Sequence, residues 1–155
     1  MNNPLITRAE AEDNESVLEL MEQFAGALNL TWDRALREAN LRHLSDHPSV
    51  GGVWLIRDEG KAAGYLALTT MFSFEFGGVC VLLDELFVAT AHQGRGLAAS
   101  ALVELDKIAD SMGARQVFLE AAEATPKLPE MYARQGFSRR PYYNYHRPVG
   151  TAAES

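Results

Sequence analysis

Between Asp13 and Leu28 apolar residues return every three or four positions, with Val17, Leu20, Met21, Phe24 and Leu28 on one stripe. That is the period of an amphipathic helix, with Asn14 or Asp13 as its cap. A short strand, Leu5–Arg8, precedes it. A second helix is expected from about Asp33 to Ser45, with Leu36, Leu41 and Leu44 turned inward and Pro48 marking its end. From residue 50 the pattern changes. Val53–Arg57 is apolar and β-prone, and Asp58-Glu59-Gly60-Lys61 is a turn signal. Tyr65–Phe74 alternates loosely, with Leu66, Leu68 and Thr70 on one face. Gly77-Gly78 makes the next turn and Cys80–Val88 the next strand. Three strands joined by tight turns predict an antiparallel meander.

After Val88 the order becomes strand, helix, strand. Ala89–Gln93 is a loop. Gly96–Met112 is a helix with Leu97, Leu102, Leu105, Ile108, Ala109 and Met112 on its apolar face, ended by Gly113. Gln116–Glu120 is a strand, so Cys80–Val88, the helix and Gln116–Glu120 form a parallel, right-handed β-α-β crossover. A short helix is expected over about Leu128–Gln135, stopped by Gly136; Pro129 makes it start late or distort. Phe137–Arg147 reads as two closing strands or a hairpin. Residues 1–148 are expected to form one domain, with a fraying tail from 149 to 155.

Composition fits that picture. The chain has 155 residues, 47 % apolar and 23 % charged, which allows a sizeable core and argues against a disordered chain. Net charge is −7, which argues against nucleic acid as a partner. Residues 1–50 carry nine acids and four bases, residues 51–100 five and three, and residues 101–155 seven of each. The acidic half favours a cationic small partner. Cys80 is the only cysteine, so no intrachain disulfide can form. The start shows no export signal. The longest uncharged central run, Ala62–Phe74, is too short to span a bilayer. A soluble cytoplasmic protein without membrane contact is the expectation.

The chemistry concentrates in Gln93-Gly94-Arg95-Gly96-Leu97-Ala98-Ala99, between a strand and a helix. A helix N-terminus offers free backbone N–H groups, the glycines remove Cβ atoms that would keep a phosphate away, and Arg95 adds charge. Together these describe a pyrophosphate cradle. Walker-type loops are excluded because no Gly-Lys-Ser/Thr follows. The dinucleotide pattern is literally present in Gly94, Gly96 and Ala99, with Glu120 about 20 residues on. However, five residues separate the strand end from the first glycine, and 35 residues after Glu120 are too few for a second βαβ half.

The other pattern, Q/R-x-x-G-x-G/A, is matched by Gln93, Gly96 and Ala98 and resembles the acetyl-CoA motif of the GNAT N-acetyltransferase superfamily. Leu83-Asp84-Glu85-Leu86-Phe87-Val88 is similar to that family's strand approaching the loop. Met131-Tyr132-Ala133-Arg134-Gln135-Gly136-Phe137 is similar to its Y-x-x-x-G-F helix ending. The resemblance implies an α/β (α+β) fold. Its central sheet would be mixed but mainly antiparallel, with six to seven strands, helices on both faces and a central parallel β-α-β unit. It implies acetyl-CoA as co-substrate, no metal, and transfer of an acetyl group to a primary amine by direct attack. The alternatives are a non-catalytic CoA-binding or sensing module and, behind it, an NAD(P)-dependent oxidoreductase.

By the same resemblance the two parallel strands splay beyond Val88. Backbone groups near Leu86, Phe87 and Val88 would bond the pantetheine arm, and Gln93, Gly94, Arg95, Gly96, Leu97, Ala98 and Ala99 would hold the pyrophosphate. Thr125 stands where family members often carry a cofactor-binding Asn, and Lys127 and Arg134 are candidates for the 3′-phosphate. Asp84 and Glu85 are the candidate bases. Strand alternation sends them to opposite faces unless a bulge re-aims one. The family pattern favours Glu85. Tyr132 is the candidate acid for the departing thiolate. His43, His47 and Asp46 have a spacing that could suggest metal ligands, but Pro48 argues against a helical His47. Cys80 reads as a small buried hydrophobe. Tyr142, Tyr143 and Tyr145 read as closing-strand residues, with the acceptor pocket or a homodimer contact as alternatives. The acceptor itself is expected to be cationic: a small amine, a polyamine-like molecule, or a lysine or N-terminal amine on a peptide.

Overall fold

The computed structural model describes residues 5–122 and 128–150. One five-stranded sheet runs in chain order through β1 (Ile6–Arg8), β2 (Gly51–Asp58), β3 (Lys61–Ser73), β4 (Gly78–Val88) and β5 (Val117–Leu119). The first three junctions are antiparallel and β4–β5 is parallel, as the meander and the crossover require.

Helices cover both faces, and the alternation of strand residues explains why. In β2, Val53 and Leu55 turn toward α1 (Asn14–Ala27) and α2 (Arg34–Asp46), where Val17, Leu20, Met21 and Leu41 meet them. Trp54 and Ile56 turn the other way, onto Ala101, Leu102, Leu105 and Ala109 of α3 (Leu97–Ser111). A strand buried on both faces needs an unbroken apolar run, which is what Val53–Ile56 supplies. Each fully buried Leu, Ile or Val side chain contributes about 1.5–3 kcal/mol. A short helix α4 (Leu128–Arg134) adds Met131 and Tyr132 to the α3 side. Pro129 is accommodated without a late start, because a helix's first turn has no N–H partner to lose.

Four expectations are corrected. Among the described residues the sheet has five strands, not six to seven. Residues 138–149 form no strand. Pro141 removes a ladder donor, and Tyr142, Tyr143 and Tyr145 are 69–88 % exposed, so no buried face rewards pairing there. Instead Arg140 lies 4.6–5.5 Å from the ring centroids of Phe76, Phe118 and Tyr142, and pairs with Glu75 at 2.9 Å. Leu36 points outward and is exposed; Leu41 is the one buried residue of α2. Finally, Asp13 does not cap α1 with its side chain. It accepts from Glu10 N–H at 3.0 Å and pairs with Arg57 at 3.1 Å, tying the start of α1 to β2. The tail from residue 151 lies outside the described residues.

Candidate active site

The site is built around an irregularity in β4. Leu68 of β3 faces Leu83, but the next pair is Ala67 with Glu85, so Asp84 is an extra residue in a β-bulge. The bulge resets the alternation. Leu83 points to the α3 side, whereas Asp84 and Glu85 both line one cavity on the α1–α2 side. This cavity measures about 250 Å³ and has apolar walls from Met21, Leu41 and Val53 and a polar end made by Arg37, Asp84 and Glu85. The bulge also falls just past Leu83–Leu119, the last pair of the β4–β5 ladder.

The two carboxylates have different surroundings. Glu85 accepts from Arg37 Nη1 at 2.8 Å and Nη2 at 3.3 Å, and from the Tyr65 hydroxyl at 3.2 Å. Its side chain is 12 % exposed. The hydrogen bonds that Arg37 donates to Glu85 raise its guanidinium further above its usual range, against the loss of solvent. Tyr65 is buried beside that carboxylate, and burial first, then the Glu85 charge, push its phenol far upward, so it stays a donor. Asp84 sits at the cavity rim and makes no ion pair among the described residues. Although much of its surface is open, partial loss of solvent and the Glu85 charge raise its pKa. Arg37 opposes this, and Glu120 at the end of β5 adds to it.

Among the described residues, no strand pairs with the β5 side of β4 from Asp84 to Val88. Ala89 N–H donates to the Ala63 carbonyl at 2.8 Å. Alternation along an antiparallel ladder then turns Phe87 toward β3 and leaves the backbone groups of Leu86 and Val88 on the open edge. The Val88 carbonyl accepts from Gln93 Nε2 at 2.9 Å, which folds the loop back over the strand end.

In the loop, Gly94 and Gly96 have φ of +78° and +74°, and nothing stands within 4 Å of a Cβ built on either. Both positions need glycine for backbone conformation, and the space before them is clear. Ser100 N–H is the first α3 donor to bond back, to Gly96 at 3.0 Å, so the Leu97, Ala98 and Ala99 N–H groups are the helix's unbonded first turn. A cleared cradle, free amides and a cation are the features a diphosphate needs, so these residues fit acetyl-CoA. Arg95 Nη1 is held by Asp58 Oδ2 at 2.6 Å, and the same oxygen meets His92 Nδ1 at 2.7 Å.

Tyr132 is half-buried against Phe137, with ring centroids 5.9 Å apart, and burial raises its pKa. Arg134 is exposed and lies 3.8 Å from Glu130. Thr125 and Lys127 lie outside the described residues. Cys80 is fully buried. His43 and His47 stack at 4.4 Å, with His47 Nδ1 turned to the His43 carbonyl. No set of three or more metal-ligating side chains gathers among the described residues. Within the same residues no helix is long and apolar enough to cross a membrane. Sequence reasoning missed Arg37, Tyr65, Asp58 and His92 as members of the site. Only the Asp58 turn carried a local signal, and that signal was for its backbone.

A parallel strand pair that parts beside an unpaired strand edge, followed by a glycine loop on a helix N-terminus, is a geometry into which an acyl-CoA fits. The family model for the GNAT acetyltransferases matches residues 14–137, and the chain belongs to that family. The family uses acetyl-CoA as co-substrate and transfers acyl groups. Among solved structures, an integron cassette protein from the mobile metagenome of Cole Harbour Salt Marsh is 25 % identical, with TM-score 0.84 and coverage of 95 % of this chain and 91 % of that one. A ribosomal-protein-alanine N-acetyltransferase from Brucella melitensis biovar Abortus 2308 is 19 % identical, with TM-score 0.75 and coverage of 93 % and 97 %. An aminoglycoside acetyltransferase from an uncultured soil sample is 14 % identical, with TM-score 0.73 and coverage of 94 % and 95 %. No curated protein matches the sequence.

Proposed function

We propose that this protein transfers the acetyl group of acetyl-CoA to a primary amine that enters the α1–α2 cavity. The observation that carries this reading is the bulge at Asp84, which sets a carboxylate with no ion pair among the described residues at the point where β4 leaves β5. Gln93–Ala99 would hold the diphosphate, and the open backbone edge of Leu86 and Val88 the pantetheine amides. An amine with pKa near 10 must lose a proton before it can attack. Asp84 takes that proton, directly or through water; Glu85 is held by Arg37 and Tyr65 and supports the site instead. The amine nitrogen bonds to the thioester carbon, the C–S bond breaks, and the thiolate leaves. Open-edge N–H groups are available to the carbonyl oxygen as negative charge develops on it. Tyr132 protonates the thiolate. Burial raises the Tyr132 pKa, so its phenol is protonated and has a proton to give.

The acceptor side supports a cation. Glu85 and Glu120 both add negative charge near Asp84, and one arginine pairs with Glu85. The cavity of about 250 Å³ suits a small amine or a single amine-bearing side chain with an apolar stem. The two solved relatives whose names state an acceptor differ in it, one a ribosomal-protein alanine and the other an aminoglycoside, so the fold alone does not choose. The test is thiol release from acetyl-CoA against a panel of amines, alcohols and peptides at low and high salt. Turnover should favour cationic amines and weaken with salt. Preference for neutral or anionic acceptors would refute the acceptor argument, and binding of acetyl-CoA without turnover of any acceptor would favour a sensing module.

A further inference from the structure

Asp58 belongs to the β2–β3 turn, 37 positions from Arg95 in sequence, and nothing in the acetyl-CoA motif includes it. The turn is a tight one: Glu59 and Gly60 have φ of +50° and +81°, and Asp58 pairs across it with Lys61. This fixes the Asp58 carboxylate at the end of the sheet where β4 stops. There its Oδ2 receives both His92 Nδ1 and Arg95 Nη1, at 2.7 and 2.6 Å. His92 and Arg95 bracket Gln93 and Gly94, so one oxygen pins the loop on both sides. The pinned segment includes Gly94 and leads into Gly96, two left-handed positions with free space on their Cβ side. Without that anchor a loop holding two glycines samples many conformations. Arg95 is oriented by Asp58 rather than used up by it. Its side chain is 55 % exposed, and a guanidinium has five N–H donors, of which this bond takes one.

We propose that Asp58 is a positioning residue for the acetyl-CoA diphosphate, holding the Gln93–Gly96 loop in its receiving shape through His92 and Arg95. This rests on the acetyl-CoA reading above and extends it to a residue on a different hairpin. The inference opposes simple electrostatics. A carboxylate near a diphosphate repels it, so if charge alone mattered, removing Asp58 would tighten binding. If positioning dominates, removal weakens it.

Calorimetry with acetyl-CoA on the wild type, Asp58→Ala and Asp58→Asn decides between these. Asp58→Ala should weaken acetyl-CoA about tenfold, equivalent to about 1.4 kcal/mol. Asp58→Asn keeps an acceptor oxygen and should fall between the two. In the thiol-release assay with the best amine of the panel, Asp58→Ala should raise KM for acetyl-CoA by the same factor while kcat holds, a split that general loss of structure would not give. Unchanged or tighter binding by Asp58→Ala overturns the proposal, as does an equal fall in kcat. Failure of the wild type to bind acetyl-CoA overturns the proposed function and this inference with it. Binding by the wild type with no change in the variants overturns this inference alone.

Discussion

Replacing Arg37 by alanine tests whether α2 is fastened to the sheet by charge. The pair is bidentate, at 2.8 and 3.3 Å, and the Glu85 and Arg37 side chains are 12 % and 25 % exposed. An exposed pair would contribute about 0–1 kcal/mol, whereas breaking a fully buried one costs about 3–5 kcal/mol. This pair lies between, nearer the buried limit, because Arg37→Ala leaves the carboxylate, among the described residues, with only the Tyr65 hydroxyl at 3.2 Å. The expected loss is about 2–3 kcal/mol. In a domain of this size that lowers Tm by roughly 4–12 °C. It moves the urea midpoint by about 1 M at an unchanged slope. Arg37→Met and Glu85→Gln, singly and together, complete a double-mutant cycle by urea denaturation. A coupling energy above about 1 kcal/mol is expected, since the double variant leaves no orphan charge. Coupling below about 0.5 kcal/mol would show that the contact is a surface pair and that α2 is held by Leu41 and its apolar neighbours instead.

Asp84→Asn should lower kcat by about 10²–10⁴, the usual range for a general base, while Glu85→Gln lowers it much less; equal losses would refute the division of roles. The raised pKa of Asp84 means that its charge opposes folding. Its protonated form is favoured by the fold below the ordinary carboxylate range, and that stabilisation is lost as pH rises through the raised value. Asp84→Asn should therefore raise Tm at neutral pH even as activity falls. For the same reason kcat/KM for the wild type should drop, as pH decreases, at a higher pH than a free carboxylate would give; a pH–rate profile lacking that limb would exclude Asp84. Gly96→Val should cost about 1–3 kcal/mol from its φ of +74° and abolish acetyl-CoA binding by filling the cradle, checked by melting and calorimetry. Tyr132→Phe should reduce kcat far more than acetyl-CoA affinity; unchanged turnover would make the residue structural.

What the sequence determined by itself is what depends on near neighbours. The three- and four-residue spacing from Val17 to Leu28 specifies α1. Gly60 and Gly77 specify the turns of the meander, and Gln93–Ala98 with Tyr132 specify the family. Each of these signals spans a few residues and draws on backbone conformation or one helical period. The features that only the tertiary structure decided join distant parts. Alternation within β4 alone puts Asp84 and Glu85 on opposite faces; the bulge exists only because β3 and β4 pair in one register before it and another after it. Arg37 reaches Glu85 across 48 positions, and Asp58 reaches Arg95 across 37. Charged residues of either sign look alike in sequence until folding brings one partner near and removes water from both. The closing strands failed for the same reason in reverse: residues 142–145 have the aromatic content of a strand, but a strand also needs a face to bury, and here the tyrosines remain in solvent.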